Sequence, residues 1–198
     1  MDSSSVDIQE LLKEKFKIQN QELLERVGKV AAFDAAPKGT RLLEAGEMPV
    51  SLHILYSGIC RGFLEDENGK DSTDCFATEP GTVLWGSGRL DQPSVIGVET
   101  LSDCELIRLP RALILELMED YDVMRVFNRY LFHALEMHWH MRQMMYQHNA
   151  MERYRWFLKQ YPGLIDQVNK RFIASFLGMT PVSLSRLRKQ LREDGQEA

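Results

Sequence analysis

Residues 170–191, "KRFIASFLGMTPVSLSRLRKQL", leave this chain the fewest choices of fold. Ile173, Ala174 and Leu177 recur at helical spacing and then meet Gly178, a residue that takes left-handed backbone without steric cost. Thr180 suits an N-cap, and Pro181 suits the first helical position, where its missing N–H is not needed. The second run turns Leu184, Leu187 and Leu191 to one side and Val182, Ser183, Ser185, Arg186 and Lys189 to the other. Two short helices joined by a glycine turn describe a helix-turn-helix. Counted from Lys170, the apolar positions of that motif fall on Ile173, Leu177, Met179, Leu184 and Leu187, and Ala174 lies where the two helices touch.

The outer face has the chemistry of a polyanion reader. A recognition helix enters the major groove N-terminus first, with free N–H groups and a partial positive end. Thr180 and Ser183 can donate to phosphate oxygens, and Arg186, one turn in, can bond bidentately to guanine. No carboxylate lies within four residues of Arg186. Arg188 and Lys189 fit phosphate contacts, and Lys170, Arg171, Val182 and Ser185 complete the expected interface with double-stranded DNA. The charge distribution agrees. The chain is acidic, with a net charge of −5, yet six Lys or Arg and no Asp or Glu lie from Lys170 to Arg192. Acidity elsewhere limits indiscriminate binding to DNA.

Other classes find no support. No apolar run reaches membrane-spanning length, and "MDSSSVDIQE" is polar and acidic, so a cytoplasmic chain without membrane contact is expected. Cys60, Cys75 and Cys104 form no CxxC pair, which argues against a zinc ribbon or an iron–sulfur cluster. No G-x-S-x-G elbow is present, and an enzyme is not expected. A cupin-like metalloprotein would need H-x-H in a strand, whereas "HWH" (138–140) falls in a helical stretch. No metal site is expected. A module that regulates a partner protein would leave the helix-turn-helix without a purpose.

Upstream, the chain divides into 1–116, 117–150 and 151–198. "NQELLERVGKVAAF" reads as a helix capped by Asn20. "TRLLEAGE", "LHILYSG", "ICRGFLEDENGKDSTDCFAT", "GTVLW", "SVIGVET" and "CELIRLP" read as short strands. Asn68-Gly69 predicts a tight hairpin through positive φ angles. Closely spaced strands with glycine punctuation suggest a small antiparallel barrel or roll. From Arg111 to Gln160 there is neither glycine nor proline, which predicts a long helix broken by Pro162 and Gly163. Along it Phe127, Leu131, Ala134, His138, Met141, Met145 and His148 form a seam suited to pairing with a second copy. A neighbouring stripe (Tyr130, Met137, Met144, Met151) could face the roll instead.

Strands, long helix and "FIASFLGMTPVSLSRLRKQL" together resemble the Crp/Fnr family of bacterial transcription regulators over roughly residues 20–192. The resemblance implies an α+β fold: an N-terminal antiparallel β-roll like that of cyclic-nucleotide-binding domains, a long dimerisation helix and a C-terminal winged helix-turn-helix. It implies a homodimer on a two-fold symmetric DNA site with half-sites about 34 Å apart. A small-molecule effector in the roll and RNA polymerase are the further partners implied. The effector pocket would be built around Trp85, Gly86, Ser87, Arg89 and Ser94. Gly86 matches the family's phosphate cassette. Ser87 replaces the acidic residue that holds the ribose, and Pro93 or Ser94 falls on the arginine position. Cyclic AMP bound in the usual way is therefore not expected. Nor is a cluster or haem: His133, His138, His140 and His148 include no i,i+4 pair.

Overall fold

The computed structural model describes residues 8–86, 89 and 91–194. Its chain forms two compact units, residues up to 62 with 76–132, and 63–75 with residues from 133 onward.

Most of the β-structure lies in the first unit, while the hairpin at residues 63–75 belongs to the second, and strand side chains alternate between two cores. β1 (Ala32–Ala36), β2 (Arg41–Leu43), β3 (Ser51–Ser57), β4 (Cys60–Glu65), β5 (Asp71–Ala77), β6 (Val83–Leu84), β7 (Gly97–Thr100) and β8 (Cys104–Pro110) form two four-stranded sheets. One has the order β1-β8-β3-β6 and the other β2-β7-β4-β5. Strands β3 and β8 pair antiparallel, with Ile54 opposite Ile107 and Leu55 opposite Leu106. Leu55 and Leu106 join Cys60, Ala77, Leu84 and Val98 in a core shared by both sheets. Ile54 and Ile107, one residue along, point the other way. They pack with α1 (Ile8–Phe16) and α2 (Gln21–Val30) through Leu12, Phe16, Leu23, Leu24 and Val27. This antiparallel roll is the one expected from sequence.

Local details depart from expectation. Asn20 caps α2 through Leu23 N, but the helix ends at Val30, and "AF" (32–33) opens strand β1. Helix α1 and strand β1 were not predicted. In the turn between β4 and β5 only Gly69 takes a positive φ, 74°. Asp66 organises that turn instead, its Oδ1 accepting from the backbone N–H of Asn68 and of Lys70 at 2.9 Å each.

The glycine- and proline-free stretch is not one helix. It divides into α3 (Arg111–Leu117), α4 (Tyr121–Gln147) and α5 (Ala150–Gln160). Both breaks are capped restarts. Asp120 accepts from the backbone of Asp122 and Val123 at 2.9 and 3.2 Å. Asn149 and Glu152 form a reciprocal capping box. A side chain that satisfies the free N–H groups of a new helix makes a break inexpensive without any helix-breaking residue.

The second unit holds the end of α4, then α5, α6 (Leu164–Gln167), α7 (Lys170–Phe176) and α8 (Pro181–Glu193). Its core comprises Tyr154, Phe157, Leu164, Ile165, Ile173, Ala174, Phe176, Leu177, Leu184 and Leu191, all buried. Trp156, Phe157, Tyr161 and Phe176 pack as an aromatic cluster with ring centroids 5.3–6.4 Å apart. Among the described residues no strand follows Pro110, so the expected wing is not found there.

Candidate nucleic-acid interface

Helices α7 and α8 form the helix-turn-helix. The turn is a Schellman closure in which Gly178 N donates to Ser175 O at 3.1 Å and Met179 N to Ala174 O at 2.9 Å. Gly178 sits at φ 62°, where a side chain is disfavoured. Ala174 is completely buried. Asn169 caps α7 and Thr180 caps α8, with Thr180 Oγ1 accepting from Ser183 N at 3.1 Å. The Thr180 and Ser183 hydroxyls are also 2.9 Å from each other, so both are held at the mouth of α8.

Beyond that cap, Val182, Ser185, Arg186 and Lys189 are exposed at i, i+3, i+4 and i+7, a single stripe along α8. No ion pair or hydrogen bond engages the Arg186 side chain among the described residues. Lys189 lies 3.6 Å from Glu193 across an exposed i,i+4 pair. Arg188 is different. Its side chain is only 11% exposed and donates to Asp166 Oδ1 of α6 at 2.6 Å. That hydrogen bond holds the Asp166 carboxyl below the usual carboxylate range. The same bond ties α8 to α6 through the side chain from which a phosphate contact is expected. On α7, Lys170 is exposed and Arg171 lies over the ring of Phe172, 4.6 Å from its centroid. Ser175 meets the β4–β5 hairpin, its Oγ accepting from Thr73 N at 3.1 Å. Sequence reading had no signal for that contact.

Two residues of the expected dimer seam have neighbours within the chain. Phe127 packs edge-on against Trp85 with centroids 5.0 Å apart. Met145 lies against the turn, its Sδ 3.2 Å from where a Cβ on Gly178 would be. Both ends of the seam are thus engaged within the chain. His138 is exposed, while Ala134 and Met141 are half-buried. Among the large apolar side chains that α4 exposes are Leu131, Phe132, Leu135 and Trp139, the last 63% exposed.

Among the described residues, the expected effector-pocket positions are engaged within the chain. Gly86 accepts from Val95 N at 2.8 Å, and a Cβ on it would overlap Ser94 Oγ and come within 2.7 Å of Leu43. Ser94 is buried, and its hydroxyl donates to Ile96 O. That bond braces the loop. Arg89 makes a two-pronged contact with exposed Asp91 at 2.7 and 3.0 Å. Ser87 lies outside the described residues. The space beside Leu43, Leu84, Trp85 and Val98 measures about 10 Å³, room for one water. A larger cavity of about 90 Å³ lies among α1, α2, α3, α4 and the β3–β8 sheet, with no charged residue in its lining. Sequence reading missed the Arg41–Glu99–Arg61 ladder, in which Glu99 meets Arg41 at 3.1 Å and buried Arg61 at 2.6 Å. It also missed the approach of two buried thiols, Cys60 and Cys104, to 3.7 Å. Burial pushes the Cys60 thiol strongly up, which keeps it protonated. Among the described residues no group of His, Cys, Asp and Glu could hold a metal ion.

Comparison with known proteins gives this architecture a context. Residues 34–121 match the family model of the cyclic nucleotide-binding domain. FixK2 from Bradyrhizobium japonicum has the same fold, with a TM-score of 0.74 and 21% identity over 84% of this chain and 86% of that one. The c-di-GMP-responsive global regulator CLP of Xanthomonas campestris aligns with a TM-score of 0.71 and 14% identity, covering 88% of this chain and 92% of that one. A Crp/Fnr-family protein of Eubacterium rectale aligns at 0.70 with 16% identity, covering 89% and 85%. No curated protein matches the sequence. Among the described residues no helix is long and apolar enough to cross a membrane.

Proposed function

From the Crp/Fnr-type fold of this chain and its cyclic nucleotide-binding domain, we propose a homodimeric, sequence-specific, DNA-binding transcription regulator acting in the cytoplasm. The observation that carries this reading is the exposed stripe Val182–Ser185–Arg186–Lys189 on a helix whose capped N-terminus follows a tight glycine turn. Arg186 reads a guanine edge, Lys189 and Lys170 meet phosphates, and the Thr180 and Ser183 hydroxyls orient the helix mouth on the backbone. Residues 1–116 sense, 117–150 dimerise and 151–198 read DNA. The second copy docks on Leu131, Phe132, Leu135 and Trp139 of α4, a face that otherwise exposes several large apolar groups together.

Control follows from a population shift. An effector or partner that favours one pairing of the two α4 helices changes the spacing of the recognition helices, and with it the fit to half-sites about 34 Å apart. RNA polymerase is the downstream partner. The effector is not cyclic AMP held in the family's manner, because Gly86 and Ser94 fill the cassette with their own packing and Arg89 is paired to Asp91.

The test is selection of fragmented genomic DNA on the full-length protein, with and without a small-molecule extract of the cells it comes from, repeated with Arg186→Ala. A two-fold symmetric motif enriched by the wild type and blurred at one base by the variant supports the reading. An unselective pool under both conditions overturns it.

A further inference from the structure

Val182 is 61% exposed, the one large apolar side chain so exposed between residues 161 and 194 among those described. It follows the cap Thr180 and Pro181 in the first turn of α8. That turn contains no acidic residue, although the helix dipole favours one there. Val182 stands one turn before Arg186 on the same face, with Ser185 between them. An isopropyl group in this position neither donates nor accepts a hydrogen bond, so it gains from a nucleic acid only where the groove is itself apolar.

The major groove has one apolar feature, the C5-methyl of thymine. Cytosine instead presents its N4 amino donor and the purines their N7 acceptors, which an apolar cover would leave unsolvated. We propose that Val182 reads a thymine methyl in the same half-site as the guanine read by Arg186, an inference that rests on the DNA-binding function proposed above. Four residues of helix rise about 6 Å, and bases along one strand are about 3.4 Å apart. The methyl contact therefore falls about two base steps from the guanine.

The experiment uses full-length protein and the duplex enriched by its own genomic selection, with binding followed by fluorescence anisotropy. Deoxyuridine replaces each thymine of a half-site in turn, which removes the methyl and nothing else. At one position the wild type loses affinity about fourfold, the equivalent of one buried methyl group, and Val182→Ala shows no such loss. At that position a 5-methylcytosine–guanine pair binds more tightly than plain cytosine–guanine, because the methyl is restored. Val182 is exposed, so an unchanged Tm for Val182→Ala verifies that the truncation leaves the fold intact. Val182→Thr, which keeps one methyl, retains part of the uracil penalty. If uracil is tolerated everywhere while Arg186→Ala still abolishes the guanine preference, Val182 reads nothing and the DNA-binding function stands. A uracil penalty that persists in Val182→Ala assigns the methyl to another side chain. If no duplex is bound selectively, the function fails and this inference with it.

Discussion

Two neighbouring cations on α8 are placed differently, and salt dependence tests the roles proposed for them. Lys189 is exposed, held only by a 3.6 Å surface pair with Glu193, and lies on the stripe with Arg186. Each phosphate neutralised on B-DNA contributes about 0.9 to the slope of log affinity against log salt, so Lys189→Ala, lost twice in a dimer, lowers that slope by about 1.8. Between about 50 and 200 mM salt, a slope difference of that size shrinks the variant's deficit by roughly tenfold. Arg188 is 11% exposed and bonded to Asp166, so Arg188→Ala leaves the slope unchanged. It lowers Tm by a few degrees instead, through lost packing of its alkyl stem and the loosened link to α6. The assay is DNA affinity at four or five salt concentrations, with Tm measured on the same protein. If Arg188→Ala lowers the slope as Lys189→Ala does and leaves Tm alone, then Arg188 leaves Asp166 to meet DNA, and the division of labour is wrong.

Gly178→Ala forces a side chain into left-handed backbone at φ 62° and is expected to cost about 1–2 kcal/mol in chemical denaturation. Gly178→Asn costs less and Gly178→Val more, an order that would be absent if the turn relaxed. Trp139→Glu places a charge in the proposed dimer face and is expected to yield a monomer by light scattering, with DNA affinity sharply reduced. A variant that remains dimeric would place the interface elsewhere. Excess cyclic AMP is expected to leave both Tm and DNA affinity unchanged, and a saturable rise in either would show that the roll rebuilds a phosphate site.

Most strands were legible because they carried their own punctuation, whereas β1 was read as the end of a helix. β3 and β8 alternate large apolar residues between two cores, and a register error of one residue would have exposed one set. Breaks within the helical stretch were less visible, since Asp120 and Asn149 stop helices by capping the next one. Asp and Asn are common enough that only the reciprocal Glu152 in "NAMER" marks the second site. Two residues of the expected seam illustrate a different cause. A 3.5-residue seam identifies apolar positions along α4, but Phe127 and Met145 found partners in their own chain. Periodicity reports that a face is buried, not which neighbour buries it.

The same distinction governs the basic tail. Composition counts Lys170, Arg171, Arg186, Arg188, Lys189 and Arg192 alike, and their sum suggested a broad cationic surface. In the fold Arg188 is drawn to Asp166, twenty-two residues earlier in sequence, and Arg171 lies on a phenyl ring. Arg186 escapes because its helical neighbours at i±3 and i±4 are Val182, Ser183, Lys189 and Gln190, none of them acidic. The arginine that local sequence leaves without a carboxylate is exposed in the fold, whereas the partner of Arg188 could not be read from local spacing. Arg186, the residue proposed to read DNA, thus stands apart less by its charge than by having no hydrogen bond or ion pair among the described residues.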